Sequence, residues 1–168
     1  MRKLIIVAGL AFAAAVSLTA CNKQDDAQQD AQATAQKQVA KPTDPNDTQA
    51  WSNYFQQIVL KNEQGMSADQ PYPYFVPAGD SDDAKAQRDR QLQNVQDTIS
   101  RGVVPGNLLV FAGPDSGKTA DLVVTAFKDA KPGSFKGVIL LFIGDKADEQ
   151  RVDDALKPTG ATVRFAQM

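Results

Sequence analysis

Histidine is absent from this 168-residue chain, and cysteine occurs once, at Cys21. Without histidine there is no Ser-His-Asp triad and no Cys-His pair. The common zinc ligand sets lose their nitrogen donor as well. A single cysteine excludes any disulfide within the chain. An enzyme built on this sequence would work with Asp, Glu, Lys, Ser, Thr and Tyr alone. An enzyme is therefore not expected, and the residue types present imply no metal site and no cofactor.

Long apolar runs are equally scarce, with one exception at the start. Arg2 and Lys3 precede an apolar stretch from Leu4 to Val16, followed by Leu18-Thr19-Ala20-Cys21. A short basic start, about a dozen apolar residues and a small-residue end make a secretory signal. The stretch falls short of the roughly 20 residues that a membrane span needs. Leu18-Thr19-Ala20-Cys21 resembles the lipobox of bacterial lipoproteins, a resemblance confined to about the first 22 residues. It implies cleavage before Cys21, diacylglycerol on its sulfur, and a fatty acid such as palmitate on the new amino terminus. Two or three acyl chains hold firmly at ~0.8 kcal/mol per buried methylene. In enteric-type lipoproteins an Asp after the cysteine favours the inner membrane; Asn22 stands there, so the periplasmic side of the outer membrane is expected. Cleavage leaves 16 of the 18 basic side chains against all 20 acidic ones, a net charge of about −4. That balance argues against a nucleic-acid partner, which favours a basic face.

Three regions follow: the signal peptide 1–20, a tether 21–46, and one domain 47–168. The tether is built of Gln, Ala, Asp, Lys and Thr, and Val39 is its only large aliphatic residue. Such a segment buries too little apolar surface to offset its ordering entropy. As a flexible chain it would hold the domain roughly 25–30 Å from the membrane.

The domain reads as α/β. Asp47 or Thr48 can cap a helix whose Trp51, Tyr54, Phe55, Ile58 and Val59 form one apolar stripe, with Gly65 as a stop. In Gln70-Pro71-Tyr72-Pro73-Tyr74-Phe75-Val76-Pro77 the three prolines forbid a helix. An extended segment covering an edge of its own domain is expected there. Asp80 or Ser81 opens a second helix to Ser100, with a narrow stripe of Ala84, Leu92, Val95 and Ile99. The last third alternates strand and helix: strands over 107–112, 138–143 and 161–166, helices opening at Asp115 or Ser116 and over 147–156. Continuous apolar runs in such an alternation predict parallel strands. The expected fold is a small three-stranded parallel sheet, βαβαβ, half of a doubly wound fold, preceded by two helices.

Ala112-Gly113-Pro114-Asp115-Ser116-Gly117-Lys118-Thr119 fits a permissive phosphate-loop pattern between a strand and a helix. In that reading backbone N–H groups cradle phosphates, Lys118 neutralises charge and Thr119 holds magnesium. Four points oppose it. The first glycine is missing, Pro114 removes an N–H, three strands are few for such an NTPase, and an exported protein meets essentially no ATP. The pattern also arises by chance roughly once in a hundred chains of this length. A turn and helix cap is the preferred reading. A weaker expectation is an anion site beyond the carboxyl ends of the strands, formed by Gly113, Ser116, Gly117, Lys118 and Asp145, with Asp115, Gly144 and Lys146 beside them.

The sequence thus points to a lipid-anchored envelope protein. It would bind the membrane through Cys21 and another envelope protein through its domain, as an interaction or accessory module. The alternatives are a small-molecule or anion-binding protein using the rim around Ser116, Lys118 and Asp145, and an inhibitor or immunity lipoprotein.

Overall fold

The computed structural model describes residues 39–168. The signal peptide, Cys21 and the tether up to residue 38 lie outside the described residues. Among those described, no helix is long and apolar enough to cross a membrane.

Local signals set most of the element boundaries. Helix α1 (Thr48–Leu60) begins where the Asp47 carboxylate accepts the Ala50 N–H, which satisfies one of the donors that a first turn leaves unpaired. Helix α2 (Asp82–Arg101) begins likewise at Ser81, with Asp82 and Asp83 favourably placed against the helix dipole. It stops at Gly102, whose φ of +82° an L side chain resists. Helix α3 (Ser116–Phe127) starts at an Asp115 cap, and α4 (Lys146–Leu156) follows Asp145. Strands β2 (Leu108–Ala112) and β3 (Ile139–Gly144) are buried along their whole length. That burial is the reason their apolar runs do not alternate. Strand β4 (Thr162–Gln167) is half-buried.

The sheet is parallel, as expected, but it has four strands rather than three. Tyr72–Phe75 forms β1 and pairs with β2, giving the order β1-β2-β3-β4. The helix order changes with it: only α1 precedes the sheet, and α2 is the crossover between β1 and β2. Proline cannot donate to a ladder, so a proline-rich segment reads poorly as a strand; at a sheet edge half of its N–H positions face outward, and proline is tolerated there. Each strand lies beside its predecessor, so the winding never reverses among the described residues.

This winding separates two cores. On one face α2, α3 and α4 cover the sheet. Phe111 stacks on Tyr74 at 5.2 Å and meets Phe127 edge-on, while Val95, Val123 and Val152 come in from the three helices. On the other face α1 lies alone, placing Trp51, Phe55 and Val59 over Leu108, Val110, Leu141 and Ile143. Each fully buried aliphatic or aromatic side chain contributes ~1.5–3 kcal/mol. The stretch 39–46, polar in composition, is laid along α1. The Trp51 indole N–H donates to the Asp44 carbonyl at 2.9 Å, and the Val39 N–H donates to Gln57 Oε1 at 3.0 Å. A buried indole N–H needs an acceptor, and here a carbonyl of the supposed tether supplies it.

Candidate functional site

The strand-end rim joins only some of the residues that the sequence groups there. Ser116 is buried, and its hydroxyl accepts the Asp145 N–H at 2.7 Å and donates to Asp148 at 2.5 Å. The backbone of Asp145 therefore meets Ser116, while the Asp145 carboxylate points elsewhere, 4.0 Å from Lys41. Lys118 turns the other way. Its ammonium lies 3.1 Å from Asp80 and 3.4 Å from Asp115. The hydrogen bond to Asp80, backed by the charge of Asp115, raises its pKa above the ordinary lysine value. Lys118 and Asp80 together pin the loop after β1 to the start of α3.

The residues of the phosphate-loop pattern are engaged with one another. The Asp115 carboxylate accepts the Lys118 N–H at 3.0 Å, and the buried Thr119 hydroxyl donates to the Asp115 carbonyl at 2.9 Å. Gly113 has a packing role: a Cβ there would sit 2.2 Å from the Val76 carbonyl oxygen and 2.8 Å from Thr119 Oγ1. Gly117 gives its carbonyl to Arg151. The helix begins at Ser116, so Lys118 falls within its first turn. An anion at this rim would have to displace two carboxylates from Lys118.

One network here was not foreseen from sequence. The Arg151 guanidinium binds Asp148 through Nε and Nη2, Asp121 through Nη1, and the Gly117 carbonyl. Burial pushes the Asp148 carboxyl up, but the Ser116 hydroxyl and Arg151 outweigh it and hold it below the usual carboxylate range. The Asp148–Arg151 spacing of i,i+3 is legible on a helix; Asp121, on α3, is not. These bonds clamp α3 to α4. Among the described residues no group of three acidic or other metal-ligating side chains converges.

A wide opening lies on the opposite face. Strands stand ~4.8 Å apart, so four of them span roughly 14 Å between their axes. A helix with its side chains covers only about 10 Å. α1 sits over β2 and β3 and leaves both flanks. The β4 flank is closed by Arg164, whose guanidinium donates to the carbonyls of Asn62 and Gln64. The β1 flank is open, and a groove of about 740 Å³ runs between α1 and β1. Phe55, Val59, Val110 and Ala112 form its floor. Gln49, Ser52, Asn53 and Gln56 make the α1 wall, and Gln70 through Phe75 the other. Charged residues are 23% of the chain, yet among the described residues none lines this groove. By the strand's alternation Pro73 and Phe75 share the α1 face, while Tyr72 and Tyr74 turn to the three-helix face. The sequence shows Phe75 and the amide positions of α1, but not that they face each other.

Comparison with protein-family models, with curated proteins and with solved structures finds no match for this chain.

Proposed function

We propose that this chain is a lipid-anchored bacterial envelope protein, held through Cys21, whose α/β domain is an interaction module. The groove between α1 and β1 receives an uncharged, extended segment of another envelope protein. One observation carries this reading: a largely apolar groove of about 740 Å³ is lined without charge, whereas the polar groups of the strand-end rim are spent on each other. Side chains rather than backbone would be read there. β1 turns prolines outward and offers few N–H donors for strand addition, while Phe75 and a row of amides suit packing against a neutral chain. The anchor rests on Leu18-Thr19-Ala20-Cys21 and the apolar leader before it.

Photo-crosslinkers placed at Gln56 and Pro73, with Gln93 on the far side of α2 as control, test the groove in cells. A single adduct of defined mass from the first two positions, and none from Gln93, is the expected result. Equal labelling from all three, or none from the groove, would end the proposal. The anchor is tested separately: Cys21→Ser should lose lipid labelling and leave the membrane fraction after signal cleavage.

A further inference from the structure

A strand turns the N–H and C=O of alternate residues to opposite neighbours. On β1 the Val76 N–H donates to the Ala112 carbonyl at 2.8 Å. The even-numbered residues therefore face β2, and positions 71, 73, 75 and 77 face outward. Three of these are Pro71, Pro73 and Pro77. That edge is closed to a further strand, as exposed edges of natural sheets commonly are.

Among the described residues the other edge carries no such protection. The Thr162 N–H donates to the Val138 carbonyl and the Met168 N–H to the Gly144 carbonyl. The even-numbered residues of β4 thus face β3, and Val163, Phe165 and Gln167 turn their N–H and C=O outward. Among the described residues no hydrogen bond reaches these groups. The strand holds neither proline nor glycine, and it pairs with β3 in unbroken register over six residues. Its only charge, Arg164, is directed back over the α1 face to the carbonyls of Asn62 and Gln64, so it does not guard the edge.

We infer that β4 pairs antiparallel with β4 of a second copy of this chain, about a two-fold axis at Phe165, joining two four-stranded sheets into one of eight. The register is self-complementary. Phe165 faces Phe165 of the second copy, Val163 faces Gln167, and Arg164 faces Ala166. Each outward residue exchanges both backbone bonds with its opposite, giving six N–H···O=C bonds. Moving the axis to residue 164 would set Arg164 against itself, a like-charge pair that cross-strand pairing disfavours. A two-fold contact of one patch with itself is the commonest form of protein association. This inference is independent of the groove and its occupant.

Residues opposed in a hydrogen-bonded antiparallel pair have Cα atoms about 5.5 Å apart, within disulfide range. The test uses the full-length chain in detergent, with Cys21→Ser to remove the native thiol. Light scattering should give twice the mass of one chain. Phe165→Cys should form a disulfide-linked dimer on oxidation. Should Phe165→Cys fold poorly, Val163→Cys and Gln167→Cys provide the second measurement: they should crosslink when mixed and not when oxidised separately. Gln167→Pro removes an outward N–H and no ladder bond, and should abolish the dimer without changing the circular dichroism spectrum. A monomer at the highest soluble concentration would overturn the inference. So would a dimer that survives Gln167→Pro and shows none of these crosslinks. Capture of a strand from another protein on a monomeric chain would overturn the second-copy assignment.

Discussion

One face of the sheet is covered by three helices and the other by one, and the two faces have divided stability from access. On the three-helix face aromatic rings from strand and helix interlock around Phe111, and an ionic clamp through Arg151 binds α3 to α4 at the surface. On the α1 face a single helix is too narrow for four strands, so one flank needs Arg164 to close it and the other stays open as a groove. The lesson is geometric. A parallel sheet wound in one direction sends every crossover helix to the same side, and whatever precedes the sheet must cover the rest.

The sharpest way to break this comparison is to cut each core at its centre. Phe111→Ala should cost about 4–5 kcal/mol in urea unfolding, the upper range for such truncations, because surrounding rings and helices leave little room to collapse. Phe55→Ala, beside the groove, should cost less, about 3 kcal/mol, since α1 can settle toward the sheet. Equal costs would mean that the open flank confers no freedom. Ser116→Ala tests the seam: it strands the Asp145 N–H and one oxygen of Asp148, and should cost about 1–3 kcal/mol, with α3 and α4 amides losing hydrogen-exchange protection before those of α1.

Smaller effects sharpen the contrast. The folded pKa of Asp148 is depressed, so its contribution is complete above the unfolded carboxylate value of about 3.9 and fades as pH falls through the folded value. Asp148→Asn should therefore flatten the loss of stability below about pH 4 seen in acid titration of the melting temperature. An unchanged acid limb would show that the clamp is too well solvated to matter. Gln56→Ala should have the least effect on folding, under about 0.5 kcal/mol for an exposed side chain, yet it should remove crosslinking from Pro73. Because the groove has no charged lining, that crosslinking should not change between about pH 5 and 9.

Much of the fold was legible because its signals are local. The caps at Asp47, Ser81 and Asp115 and the stop at Gly102 lie within a few residues of what they terminate. The buried runs at 108–112 and 139–144 announce parallel strands by not alternating. β1 was legible only as an extended segment, because proline masks a strand unless the outward parity of positions 71, 73 and 77 is known. The site was less legible still. The rim residues were identified, but Lys118 and Asp145 part company: Lys118 is drawn to Asp80, a residue 38 positions earlier that no spacing rule connects to it.

By itself, then, the sequence determined the element types other than β1, the parallel pairing and the chemistry excluded by the absence of histidine, since propensity, capping and composition act over short distances. Tertiary structure alone decided which face each helix took, that Arg164 shuts one flank while the other stays open, and that one sheet edge turns its prolines outward and the other, among the described residues, its free backbone. Those outcomes depend on winding direction, strand parity and the width of a helix against a sheet, which are properties of the assembled layers and of no single segment.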